Sequence, residues 1–446
     1  MLKGLVKKFK TVFSERQLRI QAFESGFCKR GSKFSPLMFF DSLLYDATSV
    51  TTKSYNQMAI ETKSVHRVDI SKQGIDQRFN ESALKYIQSL ISKVLTTQVS
   101  QFIEIGWLSL FNRVNVKDSS KFDLPLRLKD MLPGFGGSAS ESGACIQYEF
   151  ELKTGQINDL TITPANRPDS KDALETMGSV MKGDLTIRDL GYFALKYFTA
   201  AKKEGAFFLS RLNAKIIVYV MKGSDFEELN FGQLYKMMKK NHIGKLEKEV
   251  FIGKDEKLPV RLIIELMPDE VFNTRMQKVN KYNKKKGHQT SKDYSNRARF
   301  NLFISNIPLE MIDGEAIAKI YRIRWQIELV FKIWKSIFGL DNITPMKYER
   351  LMCTLNARLL LVLVNWETFM IQRGLLFKKK GKLLSIIKCF NTLKENSTRL
   401  RYILANGGKG IKQWIKWVAN IFESKHWLEK KKNKLGFEEI LCLTIL

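Results

Sequence analysis

Four polar residues have the spacing of one helical face: Tyr321, Arg324, Glu328 and Lys335. The segment Met311–Phe338 has the apolar periodicity of a long helix, and the four residues lie at offsets of zero, three, seven and fourteen. At roughly 100° per residue, these offsets fall within a sector of about 60°. The other faces are largely apolar, which predicts packing against a sheet with the polar stripe lining a cleft. A carboxylate between cations in a cleft suits a metal ion with phosphates beside it.

A simpler interpretation exists for the same residues. Arg324 and Glu328, and Glu328 and Lys332, are spaced four apart. Such pairs are common on helix surfaces and stabilise a helix by only a few tenths of a kcal/mol. The spacing alone therefore allows either a catalytic stripe or ordinary surface ion pairs.

Two aspartates upstream follow predicted strands. Asp118 comes after the strand-like segment Leu108–Lys117, at a Ser-Ser turn, and Asp189 comes after Asp184–Arg188. Active sites of open α/β sheets lie at strand ends, and two aspartates with a glutamate form an oxygen-rich set suited to Mg²⁺ or Mn²⁺. Asp123 is a rival first carboxylate, but it precedes Leu-Pro, where a turn role is the simpler prediction.

These residues together resemble a known family. Tyr321, Arg324, Glu328 and Lys335 match the Y-x2-R-x3-E-x6-K signature of the insertion-sequence family "IS four" of DDE transposases. Asp189-Leu-Gly-Tyr-Phe is similar to the second-aspartate motif of that family, and Asp118-Ser-Ser resembles the first. The resemblance spans roughly residues 108 to 335 and is strongest at the helix.

The resemblance implies an activity and a site. Asp118, Asp189 and Glu328 would be catalytic and would ligate two divalent ions, Mg²⁺ or Mn²⁺. The cationic and tyrosine positions would contact double-stranded DNA, at the transposon ends and in the target: Tyr321, Arg324, Lys335 and, by a weaker match, Arg211. The enzyme would cut DNA at terminal inverted repeats and transfer the freed 3′-hydroxyl ends, as a homodimer in the DNA complex. It would work in the bacterial cytoplasm, at the nucleoid when bound.

The implied fold is α/β, with a ribonuclease H-like catalytic core interrupted by a mostly β insertion and flanked by helical N- and C-terminal regions. The chain then divides into a helical N-terminal region (1–100), a catalytic domain (101–212 and 302–345), an insertion (213–301) and a helical C-terminal region (346–446) that is a candidate for dimerisation. Relatives that cut through a DNA hairpin hold a flipped base with a tryptophan in the insertion. Here tryptophan is absent between Trp107 and Trp325, which leaves Tyr282, Tyr294 or Phe300 for stacking.

Composition agrees with a nucleic-acid partner. Lys and Arg outnumber Asp and Glu by 74 to 45, giving a formal charge of +29, and a polyanion would relieve the resulting self-repulsion. The five cysteines and four histidines are scattered, which argues against zinc sites and disulfides. The longest apolar runs, such as Leu359–Val364, are short for a bilayer span, so no membrane association is expected.

Two further DNA contacts are conceivable from local patterns. Ile70–Phe79 suits a turn entering a short helix capped by Ser71, as in a helix-turn-helix, although a solvated helix pair fits equally. The lysine clusters Lys284–Lys286 and Lys430–Lys434 could neutralise phosphates or could be solvated charge runs. Two other functions share these features: a non-catalytic DNA-binding protein derived from a transposase, and a ribonuclease H-like nuclease without strand transfer.

Overall fold

The structure is a computed structural model, and it describes residues 2–99, 106–137, 139–429 and 440. The fold is mixed α/β, and the chain forms two compact units that are discontinuous in sequence. The helical unit comprises Met1–Ile103, Ser119–Arg167 and Gln326–Lys434, and the sheet unit comprises Glu104–Asp118, Pro168–Trp325 and Leu435–Leu446. Two elements, strand β1 (Val114–Asp123) and helix α13 (Trp325–Ser336), have residues in both.

The helical unit contains a hairpin and most of the helices. Its elements besides β1 and α13 are α1 (Leu2–Val12), α2 (Glu15–Glu24), α3 (Pro36–Thr48), α4 (Tyr55–His66), α5 (Lys72–Arg78), α6 (Glu81–Thr96), β2 (Gly143–Glu151), β3 (Ile157–Pro164), α14 (Tyr348–Lys380), α15 (Ile386–Glu395), α16 (Ser397–Ala405) and α17 (Ile411–Lys425).

Helix α14 is the core of this unit, and it differs from the sequence expectation. Its 33 residues form the one described helix that is long and apolar enough to cross a membrane, whereas the apolar runs predicted none. However, 94% of its most apolar stretch is buried within the protein, as expected for a core helix. Its neighbours include α3 and α6.

Two buried ion pairs connect distant parts of the helical unit. Lys8 of α1 pairs with Glu367 of α14, whose second oxygen accepts a hydrogen bond from the Val99 backbone N–H at 2.6 Å. Burial lowers the pKa of Lys8 and raises that of Glu367, although their mutual attraction opposes both shifts. Arg401 of α16 donates two hydrogen bonds to Asp41 of α3, at 2.7 and 2.8 Å. The two ion pairs therefore link helices from the N-terminal part of the chain, α1 and α3, to helices from its C-terminal part, α14 and α16.

The strand-like segments Ala144–Lys153 and Gln156–Thr163, on either side of Thr154-Gly155, predict a hairpin. The structure confirms it as β2 and β3, which pair antiparallel. The Glu151 carboxylate accepts the backbone N–H groups of Lys153 and Thr154 at the turn. Gly155 has φ +72°, and a Cβ there would lie 2.3 Å from the side chain of Met370. Glycine is thus required for both conformation and space. The predicted short helix after Ile70 is also present, as α5 capped by the Ser71 hydroxyl.

The sheet unit carries most of the strands. Its elements besides β1 and Trp325 are α7 (Asp169–Glu175), β4 (Leu185–Arg188), α8 (Leu195–Lys203), β5 (Phe207–Arg211), β6 (Val218–Lys222), β7 (Asp225–Glu228), α9 (Phe231–Lys240), β8 (Lys245–Ile252), β9 (Leu258–Leu266), α10 (Asp269–Lys286), α11 (Lys292–Arg297), β10 (Phe300–Ser305) and α12 (Gly314–Ile320). The strand order is β1-β4-β5-β10-β9-β8-β6-β7. The pairs β1–β4 and β4–β5 are parallel, and the remaining pairs are antiparallel.

Three expectations about local structure are wrong. The segment Leu108–Lys117 is not one strand: a 3₁₀ turn occupies Gly106–Leu110, and β1 starts at Val114 and continues to Asp123. Asp118 therefore lies within a strand and not at a turn. The strand continues because alternate residues beyond Asp118, Ser120 and Phe122, are buried.

The helix expected over Met311–Phe338 is also interrupted. It consists of α12, a 3₁₀ turn at Tyr321–Arg324 and α13. Both Tyr321 and Arg324 are buried there. The prediction of a single stripe assumed an α-helical period throughout. The backbone departs from that period where these two side chains make tertiary contacts.

The insertion 213–301 is not mostly β. Its three helices, of 10, 18 and 6 residues, hold more residues than its four complete strands, of 5, 4, 8 and 9. The expectation of a mostly β insertion came from the family resemblance, whereas the local sequence pattern indicates a helix. Asp269–Lys286 lacks the alternation of a strand and begins with two acidic residues, which favour a helix N-terminus.

Candidate active site

Three sequence-predicted site residues lie at the same level of three adjacent parallel strands. Lys117 of β1 is paired with Arg188 of β4, so the next residues, Asp118 and Asp189, are neighbours. Paired positions on adjacent strands are separated by about 5 Å. Ile187 of β4 is paired with a residue of β5, and continuing that register by two residues places Arg211 beside Asp189. Two acids and a base therefore lie together where β4 and β5 end, beside the middle of β1.

The guanidinium group of Arg324 contacts both aspartates. Its Nη1 donates to Asp118 Oδ2 at 2.7 Å, and its Nε lies 3.5 Å from Asp189 Oδ1. The side chain of Arg324 is only 10% exposed, whereas that of Asp189 is 38% exposed. The cluster is thus covered on the arginine side and accessible from the Asp189 side.

Tyr321 has a supporting position beside this cluster. Its hydroxyl donates to the backbone carbonyl of Arg188 at 3.4 Å, and its ring packs against Phe303. Burial raises the pKa of Tyr321 to about 12, so the hydroxyl stays protonated at neutral pH. Tyr321 therefore connects the 3₁₀ turn to the end of β4, directly before Asp189.

Two ion pairs that the sequence did not reveal fix β1 in place. Lys117 pairs with Asp172 of α7 at 2.5 Å, and both side chains are almost fully buried. Arg113, before β1, pairs with Asp184, before β4. These partners are more than 50 residues apart in the chain, and no local pattern indicates such pairs. One ion pair fixes the strand at its N-terminal end, and the other fixes it directly before Asp118.

The other half of the signature lies in the helical unit. Glu328 is in the first turn of α13 and is exposed, and Lys335 is half-buried in the last turn. The Lys335 ammonium donates to the backbone carbonyl of Lys121 at 2.8 Å. On the opposite face of α13, Trp334 packs against Tyr148 of β2 with ring centroids 4.8 Å apart. The predicted division into an apolar packed face and a polar face is confirmed for α13.

The remaining candidates have the following positions. Asp123 is the exposed last residue of β1, five residues beyond the position that is in register with Asp189. Among the aromatic candidates for base stacking, Tyr282 is 61% exposed and Tyr294 is half-buried, but Phe300 is 2% exposed and cannot stack on a base. Lys430–Lys434 lies outside the described residues.

The donor set at the β1–β4 edge suits a cation. Asp118 and Asp189 already share one positive group, the Arg324 guanidinium, which shows that a cation can contact both carboxylates at once. Carboxylate oxygens are the ligands that Mg²⁺ and Mn²⁺ prefer. Within the described ranges, however, no group of three or more acidic, histidine or cysteine side chains is close enough to form a metal site. Asp118 and Asp189 are therefore the two predicted ligands that the structure brings together.

Comparison with known proteins identifies the family of the chain. The transposase for insertion sequence element IS231F of Bacillus thuringiensis subsp. israelensis is 28% identical over 97% of this chain and 92% of its own length. The transposase for IS1151 of Clostridium perfringens is also 28% identical, over 97% and 94% of the two chains. The family described as "Transposase DDE domain" matches residues 110–364. Since that match covers more than half of the sequence and includes Asp118, Asp189 and Glu328, the chain belongs to the DDE transposase family.

Proposed function

We propose that this chain is the transposase of a bacterial insertion sequence and that Asp118, Asp189 and Glu328 are its catalytic carboxylates. The observation that carries the proposal is the placement of Asp118 and Asp189 in register on adjacent parallel strands, sharing the Arg324 guanidinium. The two relatives compared above, named as insertion-sequence transposases, match almost the whole chain. Dependence on a divalent metal follows from the DDE family.

The reaction has two phosphodiester steps. In the first, water attacks the phosphorus at the element's end, and the bond to the 3′ oxygen breaks to leave a free 3′-hydroxyl. In the second, that 3′-hydroxyl attacks a target phosphorus and displaces the target's own 3′ oxygen, so the number of phosphodiester bonds is conserved. Two Mg²⁺ or Mn²⁺ ions held by the three carboxylates would activate the nucleophile and stabilise the leaving oxygen.

The protein's own residues have separate tasks in this proposal. The buried Lys117–Asp172 pair fixes β1, and Tyr321 fixes the end of β4, so the two aspartates keep their spacing without a bound ion. Arg324 offsets part of their negative charge until a metal binds. The proposed DNA contacts are Arg211, Tyr321, Arg324 and Lys335. Each already has a protein partner in its own unit, and a DNA phosphate would add to these contacts or replace them.

The finer architecture is part of the same proposal. A ribonuclease H-like core is supported by parallel β1, β4 and β5 and by the antiparallel β2–β3 hairpin that follows β1 in the chain. We retain the domain limits expected from the sequence, with 213–301 as an α/β insertion. A homodimer on paired DNA ends and a cytoplasmic location are expected for an enzyme that must join two ends of one element.

The test is cleavage of DNA that carries the inverted repeats flanking the chain's own reading frame, with Mg²⁺ or Mn²⁺. We expect Asp118→Asn to reduce cleavage by roughly 10³-fold, the scale seen when a group acting on the reacting atoms is removed. Asp123→Asn is the matched control, since it removes an equal charge from the same strand, and it should cleave normally.

Three outcomes would contradict the proposal in different ways. Equal cleavage by Asp118→Asn and the parent would exclude Asp118 as a ligand. Binding of the ends without cleavage, with any divalent ion, would favour a non-catalytic DNA-binding protein. Cleavage without a joined product on target DNA would favour a nuclease without strand transfer.

A further inference from the structure

Helix α10 of the sheet unit has one basic face that its own fold does not use. Its inner face is anchored: Phe272 is buried, and Arg275 donates to the backbone carbonyls of Ala298 and Phe300 at 3.0 and 3.2 Å. Its C-terminal end is closed by Gly287, at φ +69°, and by a hydrogen bond of 2.9 Å from Asn283 to Thr290. The helix is thus held at both ends, and its outer face is open to solvent.

The outer face consists of Lys278, Lys281, Tyr282 and Lys285, all of which are exposed. Their spacing of three, four and seven residues places them within an arc of about 100°. From residue 271 to the end of α10, at residue 286, the helix contains no acidic residue. Tyr282 is 61% exposed, so its ring is accessible on the same face as the lysines.

Three other lysines of the same unit, two of them exposed and one half-buried, have carboxylate partners. Lys222 pairs with Glu227 at 3.1 Å, Lys245 lies 3.5 Å from Glu265, and Lys319 pairs with Glu315 at 2.7 Å. In the part of the chain that the structure describes, the three lysines of the outer face of α10 have no such ion pair. Lys285 is in the last turn, where the helix dipole favours a cation, but Lys278 and Lys281 are too far from the end for that explanation. Their mutual repulsion is therefore uncompensated within the described fold.

We propose that this outer face of α10 binds the phosphate backbone of double-stranded DNA, independently of base sequence and outside the carboxylate site. Lys278 and Lys285 are about 10 Å apart along the helix axis. One strand of a duplex presents about three phosphates over that rise, at roughly 3.4 Å each, which matches the three lysines in number. The inference rests on the proposed function only in that DNA is the substrate.

The test measures binding and not catalysis. Full-length protein in EDTA is titrated onto a fluorescent 30-base-pair duplex without inverted repeats, and the logarithm of the binding constant is followed against the logarithm of salt concentration. Each lost phosphate contact lowers the slope by about 0.9, so Lys278→Gln/Lys281→Gln/Lys285→Gln should lower it by between 2 and 3, an estimate from counterion release. Lys222→Gln/Lys245→Gln/Lys319→Gln removes the same charge from the same unit and should change the slope by less than about 1.

An equal slope for the two triple variants would overturn the proposal, because net charge alone would then explain binding. Weaker binding of single-stranded DNA with unchanged duplex binding would overturn it as well, in favour of stacking on Tyr282. Glutamine preserves helix propensity, so the α10 variant should retain the parent melting temperature. Because no divalent ion is present, the slope does not depend on cleavage. Equal slopes therefore contradict this proposal alone, whereas normal cleavage by Asp118→Asn contradicts only the proposed catalytic site.

Discussion

The two halves of the Y-x2-R-x3-E-x6-K signature have different physical environments. Tyr321 and Arg324 are buried in a 3₁₀ turn of the sheet unit. Tyr321 contacts the end of β4, and Arg324 contacts Asp118 within β1. Glu328 is exposed in the first turn of α13, which continues in the helical unit. The first half supports the two aspartates, and the second half supplies an accessible carboxylate. A motif that is continuous in sequence thus combines a structural task with the chemical task that we propose for Glu328.

The largest expected effect separates these tasks at Glu328. Glu328→Gln should reduce DNA cleavage by roughly 10³-fold, while the free energy of unfolding changes by no more than about 0.5 kcal/mol because the side chain is exposed. Glu315→Gln is the matched control, since Glu315 is also exposed in the first turn of a helix, α12. Cleavage assays and urea unfolding measure the two quantities. Normal cleavage by Glu328→Gln would remove the distinction between the two halves.

An intermediate effect is expected at Arg324. Arg324→Met leaves Asp118 and Asp189 without their shared cation, so unfolding should become easier by about 2 to 3 kcal/mol, and cleavage should fall by about 10²-fold. Added Mg²⁺ should raise the melting temperature of this variant more than that of the parent, because the ion replaces the lost positive charge. Arg322→Met, an exposed neighbour, should behave like the parent. Equal responses to Mg²⁺ would argue against a metal between these aspartates.

The smallest expected effect concerns Lys335, which tests whether the second half also has a structural component. Lys335→Met keeps the aliphatic stem but loses the hydrogen bond to the Lys121 carbonyl, which should cost about 1.5 kcal/mol in urea unfolding. Lys332→Met, on the exposed face of the same helix, should cost less than about 0.5 kcal/mol. If the two variants were equally stable, the role of Lys335 would be restricted to contacts outside the protein.

The sequence predicted the elements whose signals are local. The β2–β3 hairpin, strand β4 ending before Asp189 and the cap of α5 at Ser71 were all visible in short patterns. The sheet context of Asp118 was predicted, but not its position inside a strand, because the burial of Ser120 and Phe122 depends on tertiary packing. The Lys117–Asp172 pair was not predictable, since it joins β1 to a helix more than 50 residues away.

The helix break at Tyr321–Arg324 shows a different limit of sequence patterns. An ideal period of 3.6 residues fits Tyr321, Arg324, Glu328 and Lys335 well, yet the first two adopt a tighter turn. A residue three positions further along lies on nearly the same face in both an α-helix and a 3₁₀ helix. The Tyr321–Arg324 spacing is therefore compatible with both helix types. The family signature therefore fixes the order of the residues without fixing the backbone conformation.

The buried pair between Lys8 and Glu367 has a consequence for biosynthesis. The two residues are 359 positions apart, so Lys8 leaves the ribosome long before its partner exists. At 5 to 20 residues per second, the delay is about 20 to 70 s. Until α14 emerges, the N-terminal helices lack both their apolar centre and their counter-charge, and proteases act on such incomplete chains. The helical unit therefore cannot complete its core until Tyr348–Lys380 has left the ribosome.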